Sequence, residues 1–231
     1  MIGAGLALLA VGGLDLARRR LAGARLGVVL VLIGAVLLPL AAWAGAAGWW
    51  FAAVAVAAGW AATTSTRDPT RWGLWPAAGI AVVVAVMVAF VGVRDGQGPL
   101  ERIWPIDSPL GAVTLDLAVA IAGSLVFLVE SGNVIVRASL RDGAVAEEAT
   151  KALKGGRLIG PIERLLVFAL TLTGAFTLLA AVLAAKGIVR FPEISRDEDG
   201  GDRAEYFLVG SLVSWVVALG AAFLVWWGGA G

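Results

Sequence analysis

The chain has 231 residues, of which 60% are hydrophobic and 15% charged, with a formal net charge of +1 and neither Cys nor His. That apolar share exceeds what a soluble core can hide, so lipid is the expected solvent for much of the surface, and the small net charge gives no electrostatic case for nucleic acid. The missing Cys and His exclude disulfides, thiolate chemistry, Cys/His zinc sites, His-ligated haem and any imidazole base, and no catalytic set, metal or cofactor is expected.

Apolar runs long enough to approach the roughly 30 Å of bilayer hydrocarbon alternate with short charged blocks. The first, residues 2–17, has no positive residue ahead of it and Arg18, Arg19 and Arg20 directly behind it. A cleavable signal peptide has the reverse order, so this is read as a retained span. At 1.5 Å per residue it reaches only about 24 Å, and a tilted or re-entrant segment is the alternative. Further runs follow at residues 26–46, 49–65, 74–93, 113–127 with an extension to about 136, 162–185 and 206–227. The tight turn near Gly45 and Gly48 makes the second and third antiparallel neighbours. The expectation is one all-α integral membrane domain over residues 1–231, a polytopic bundle of seven helices, or six if the first is re-entrant.

Sorting the 18 basic residues by connecting segment puts 12 on the side of Arg18, Arg67, Arg137 and Lys154 and 6 on the side of Arg94, Arg102, Lys186 and Arg203. The richer side should face the cytoplasm, which places the N-terminus outside and the C-terminus inside a cell membrane. Trp43, Trp49 and Trp50 would form the outer aromatic belt, and Trp72, Trp75, Trp226 and Trp227 the inner one. Residues 137–161 form a cytoplasmic loop with a short helix at 143–153, and residues 186–205 an external acidic loop.

The fifth run carries the clearest polar pattern. Asp116, Gly123, Glu130 and Arg137 recur every seven residues and so share a helix face, with Asn133 one turn beyond Glu130. An ionisable residue at membrane depth costs several kcal/mol unless it is paired or faces water. Glu130 therefore either pairs with Arg137 or Arg164 to lock helices together, or contacts an ion, proton or substrate. In the last two runs, Thr173, Thr177, Ala181 and Ala185 and, separately, Gly210, Ser214, Ala218 and Ala222 form stripes of small residues that would let those helices pack closely. If residues 162–185 are one helix, Glu163 and Lys186 are about 34 Å apart and lie at opposite interfaces. Lys186 and Arg190 would then meet Glu193 and Glu205 outside, while Arg157, Glu163 and Arg164 would gather near Glu130 and Arg137 inside. Such clusters anchor helix ends by snorkelling, or receive an anionic headgroup or phosphate-bearing solute. The glycines at 155, 156 and 160 with Pro161 read as a flexible lead into a helix start rather than as a phosphate loop.

Three blocks in order, Gly156-Arg157-Leu158-Ile159-Gly160 with Glu163-Arg164-Leu165-Leu166, Ala184-Ala185-Lys186 with Arg190-Phe191 and Glu193, and Ala204-Glu205-Tyr206 with Leu208-Val209-Gly210-Ser211-Leu212 and Ser214, resemble a family of bacterial integral membrane proteins with no established activity. The resemblance implies a membrane bundle and singles out Glu163, Arg164, Lys186, Arg190, Glu193 and Glu205. Taken together, these features point to binding or transport of a small solute, ion or lipid, with the bilayer, an anionic lipid or small solute, and a membrane protein as candidate partners. A non-catalytic accessory subunit or scaffold is the second reading. An enzyme acting on a lipid-linked substrate is the third, because Asp116 and Glu130 are about 21 Å apart along the helix and cannot act together.

Overall fold

A computed structural model describes residues 1–21, 26–64, 73–90, 98–104, 107–108, 111–140, 156–194 and 202–229. The described chain is an all-α bundle: α1 (Ile2–Arg20), α2 (Leu26–Trp43), α3 (Ala47–Thr63), α4 (Trp75–Phe90), the short α5 (Pro99–Ile103), α6 (Leu115–Ser139), α7 (Gly156–Leu172), α8 (Phe176–Ile194) and α9 (Asp202–Gly229). A two-residue antiparallel pairing, Asp107–Ser108 with Gly111–Ala112, leads into α6. By length and composition α2, α6 and residues 207–229 of α9 are each apolar enough to cross a membrane, and α3, α4 and residues 176–189 of α8 are shorter apolar helices.

The short first segment is the hub of the bundle. Ile2, Leu6, Val11 and Leu14 are fully buried, and α1 packs against α6 on one side and against α2, α3 and α4 on the others. Its glycines explain the contact with α6. A Cβ on Gly5 would lie 2.7 Å from the Ala120 nitrogen, one on Gly12 would lie 2.7 Å from the Phe127 nitrogen, and one on Gly123 would run into the Gly5 carbonyl oxygen. Two backbones in this contact gain dispersion along their whole length, which replaces the hydrophobic driving force that is absent between helices in lipid. The seven-residue repeat in α6 follows the same seam, since Asp116, Gly123 and Glu130 all face α1 while Arg137 is exposed at its end.

Two turns are built alike. At the end of α2, the Ala46 N–H donates to Ala41 O and the Gly45 N–H to Ala42 O, with Gly45 at φ 67°. At the end of α7, the Ala175 N–H donates to Leu170 O and the Gly174 N–H to Thr171 O, with Gly174 at φ 70°. Both are glycine C-caps that consume the last free carbonyls of a helix and reverse the chain. The first joins the antiparallel pair α2 and α3, as expected from the sequence, and the Trp50 indole N–H donates to Gly34 O across that pair at 2.8 Å.

The second turn corrects the expected sixth span. Residues 162–185 are not one helix: the chain breaks at Gly174 and folds back, and α8 brings Lys186 to Glu163. The separation of about 34 Å read along a continuous helix therefore does not exist. Helix α7 also starts at Gly156, five residues ahead of Pro161, so the glycine segment is helical and Pro161 lies inside the helix. Residues 186–194 are the last two turns of α8 and residues 202–205 the first turn of α9, so the expected 186–205 loop shrinks to the stretch between them; the short helix read at 143–153 lies outside the described residues. The two small-residue stripes do not face each other. Ser214, Ala218 and Ala222 of α9 are buried inside the bundle, while Thr177, Ala181 and Ala185 of α8 are exposed.

The break also changes which end of the bundle carries the C-terminal helix. Met1 packs on Gly228 and Leu117 beneath Gly229, and the Met1 nitrogen lies 3.5 Å from Asp116 at the start of α6. Residues 1 and 229 thus share one end, together with the α2–α3 turn that packs on Gly98. The expected orientation has the two termini at opposite ends, whereas residues 1 and 229 lie at the same one. Trp226 and Trp227 accordingly lie at the end of Trp43 and Trp49 rather than in a belt with Trp75.

Candidate functional site

Toward the other end, where α1 finishes and α7 begins, a layer of charged and polar groups crosses the bundle. Its first part belongs to α1. Asp15 is 4% exposed, and its Oδ2 accepts hydrogen bonds from the Trp60 indole N–H at 2.9 Å and the Ser131 hydroxyl at 2.6 Å. Arg18, one turn on, approaches Asp15 Oδ1 at 3.5 Å and donates to Ala61 O of α3 at 3.1 Å and to the oxygens of Thr64, the residue that ends α3. Arg19 turns to α6 and reaches Glu130 Oε2 at 2.6 Å. Successive α1 residues thus serve opposite neighbours, as the 100° step of a helix dictates.

The second part is organised by Arg164 on α7, the largest fully buried side chain, at 1% exposure. Its Nε donates to Leu128 O at 2.8 Å, one terminal nitrogen to the Ser214 hydroxyl at 3.3 Å and the other to Asn133 Oδ1. One guanidinium therefore ties α6, α7 and α9 together through its rigid fork of donors. Gly132 makes room for it, since a Cβ there would lie 2.5 Å from Arg164 Nε. All three acceptors are neutral. Among the described residues no carboxylate lies within ion-pair distance of Arg164, and the layer's carboxylates Asp15, Glu130 and Glu163 contact Arg18, Arg19 and Lys186 instead.

The third part is the α7–α8 hairpin. Lys186 Nζ lies 2.6 Å from both Glu163 oxygens, and the Trp215 indole N–H of α9 donates to Glu163 Oε1 at 2.6 Å. Four cations, Arg18, Arg19, Arg164 and Lys186, thus stand against three carboxylates in the described layer.

The residues singled out from the sequence divide accordingly. Glu130, Asn133, Glu163, Arg164 and Lys186 belong to the layer. Asp116 is at the opposite end of α6, where its Oδ2 accepts from the Ile2 N–H at 3.2 Å and so caps α1. Glu130 pairs with Arg19 rather than with Arg137 or Arg164. Arg137 and Glu205 are exposed, and Lys186 meets Glu163 on α7. The side chains of Arg157, Arg190 and Glu193 lie outside the described residues.

Sequence reasoning missed Asp15, Arg18, Arg19, Trp60, Ser131, Ser214 and Trp215. Asp15 directly precedes three arginines, which makes it read as part of a solvated helix end. The signal that identifies it is the glycine repeat at Gly5 and Gly12 in the same helix, because a helix that approaches its neighbours this closely carries its next polar residue into the interface as well.

In chemical terms the layer offers fixed cations and carboxylates, each held by donors or acceptors on a neighbouring helix, at one depth of an apolar bundle. It is suited to holding charge, and among the described residues no group of acidic side chains is arranged to hold a metal ion. No protein-family model, curated protein or solved structure matches the chain.

Proposed function

We propose that the protein is a multi-pass protein of the cell membrane that takes a small charged solute, an ion or a lipid headgroup into the polar layer at its basic end. The observation that carries this reading is the layer itself: among the described residues, seven charged side chains gather at one depth of an apolar bundle, and Arg164 is held there by neutral oxygens. Charge at membrane depth is costly, and a protein that only spans a bilayer gains little from gathering so much of it in one plane.

Glu130 is one group within reach of an incoming ligand, because its partner Arg19 is 36% exposed and can swing out to water. Glu130→Gln should weaken retention of the co-purified ligand at least tenfold, about 1.4 kcal/mol. It should change bundle stability by no more than about 1 kcal/mol, the usual scale for a pair with a solvated partner. Native mass spectrometry of the protein extracted with its own lipids measures the first and denaturant titration the second. Ligand retained equally by both forms would remove Glu130 from the binding site.

The orientation in the bilayer follows from the same asymmetry. With α7 and α8 folded back on each other, 16 of the 18 basic residues belong to segments that join the basic end, and only Arg94 and Arg102 lie in the stretch between α4 and α6. We therefore read the basic end as cytoplasmic and the end that holds residues 1 and 229 as external. The chain lacks cysteine, so single introduced thiols report this directly. Gly48→Cys and Gly229→Cys should react with an impermeant maleimide added to intact cells, and Leu21→Cys only after lysis; the opposite labelling would invert the assignment.

A non-catalytic subunit of a membrane complex is the second reading, favoured by α8. None of residues 176–189 is buried, and the surface turned from the bundle carries Ala180, Ala181, Ala184 and Ala185 beside the large Phe176, Leu178, Ile188 and Val189, an apolar surface open to another membrane helix. A stoichiometric membrane protein in the same native spectra would favour it over ligand binding.

A further inference from the structure

The surroundings of Lys186 are those of a bound ligand. Its ammonium lies 2.6 Å from each oxygen of Glu163 on α7 and 5.4 Å from the centres of the Phe207 and Trp215 rings on α9. Glu163 is aimed by the Trp215 indole N–H and is 11% exposed. A carboxylate combined with two aromatic faces is the standard chemistry for holding an organic cation. Oxygens this close select a nitrogen that carries hydrogens, since the methyl shell of a quaternary ammonium would keep its nitrogen beyond hydrogen-bond reach.

The walls of this cage belong to the bundle, whereas its occupant does not. Glu163, Phe207 and Trp215 sit on α7 and α9, which pack against each other and against α6. Lys186 comes from α8, whose packing is chiefly against α7, which has no buried residue over 176–189, and which is joined to α7 through the glycine turn at Gly174. Glu163 stands about 10 Å along α7 from its start at the basic end, a depth that both a headgroup and a small solute can reach.

We propose that Glu163, Phe207 and Trp215 form a binding site for a primary ammonium and that Lys186 occupies it as an internal stand-in, displaced when an amine ligand arrives. The inference deepens the ligand-binding reading above by naming the ligand's charged group, and it rests on that reading. The ammonium could belong to an ethanolamine-type lipid headgroup or to a free amine, and both present the same group to the cage. Tethering gives Lys186 a high effective concentration, so a free ligand competes poorly until Lys186 is removed.

The test uses the full chain in nanodiscs made only of phosphatidylglycerol, with radiolabelled ethylammonium as probe. Lys186→Ala empties the cage and should bind the probe saturably, at least tenfold tighter than the unaltered protein; Lys186→Met, which keeps the apolar stem, provides the same comparison if the alanine variant is poorly folded. Adding Glu163→Gln to either should abolish the gain. In nanodiscs that also contain phosphatidylethanolamine, native mass spectra of Lys186→Ala distinguish the sources. Selective retention of that lipid assigns the site to a headgroup, and probe binding without lipid selectivity assigns it to a soluble amine. Absence of tightening in both lysine variants, or tightening that survives Glu163→Gln, overturns the proposal. A ligand retained by the unaltered protein and lost in Glu130→Gln would leave the broader reading standing in that case.

Discussion

Gly123→Ala should lower the stability of the bundle by about 1–3 kcal/mol, the range for forcing a methyl group into a packed interface. The added Cβ runs into the Gly5 carbonyl oxygen, which is backbone and cannot rotate away, so α1 and α6 must separate. Separation weakens the whole seam, because Gly5 against Ala120 and Gly12 against Phe127 belong to the same pair of rigid rods. Gly12→Ala should therefore cost a similar amount alone and clearly less in the Gly123→Ala background, since contacts that share one helix displacement are not additive. Unfolding in mixed micelles with increasing SDS, followed by tryptophan emission, measures both. An unchanged midpoint for Gly123→Ala would mean that α1 does not lie against α6 as described. The contrast with Gly59 is useful: a Cβ there meets nothing within 4 Å, and Gly59→Ala should be neutral or slightly stabilising.

Arg164→Met should be the most damaging single change in the polar layer, at about 3–5 kcal/mol by analogy with removing one member of a buried charged network. Methionine fills much of the volume but leaves Asn133 Oδ1 and Ser214 Oγ without their donor at membrane depth, and it breaks the link between α6, α7 and α9. Arg164→Lys keeps the charge yet cannot reach three separated acceptors with one nitrogen, so it should recover less than half of the loss. Gly132→Ala probes the same socket from the opposite wall. It should destabilise the unaltered protein, because its Cβ would lie 2.5 Å from Arg164 Nε, and it should cost almost nothing once residue 164 is alanine. Arg164→Met matching the unaltered protein in SDS titration would show that the guanidinium is not bound as described.

These two predictions concern elements of very different legibility. The heptad repeat of Asp116, Gly123 and Glu130 was visible as one helix face, and the structure gives that face a partner, α1. The partner could not be read from the sequence, since the α1 segment looked too short and too charged at its end to be central. Length against bilayer thickness is a criterion for lipid-facing helices, and α1 is shielded from lipid by α2, α3, α4 and α6. Arg164 was picked out as a charge at a helix end. Its burial and its neutral acceptors depend on Gly132, Ser214 and Asn133 arriving from two other helices, and no spacing along the chain records that.

The continuous apolar run from residue 162 to 185 marks where sequence reading stopped. Hydropathy averages over a window, and a single Thr-Gly step within an apolar stretch leaves the average unchanged. The break comes from a backbone property, the ease with which Gly174 takes φ 70° and closes the cap of α7. Once it is there, the distance between Glu163 and Lys186 collapses, and with it the side of the bundle on which the C-terminal helix ends.

By itself the sequence determined the solvent, the all-α class, the positions of most helices and the absence of imidazole and thiol chemistry, because those follow from composition and from the need of a backbone in lipid to satisfy its own hydrogen bonds. Only the tertiary structure decided that α1 is the core, that residues 1 and 229 share one end, and that charges distant in sequence form one layer. Those outcomes depend on which helix faces meet and where one glycine turns the chain, and such pairwise choices are made between segments, not within them.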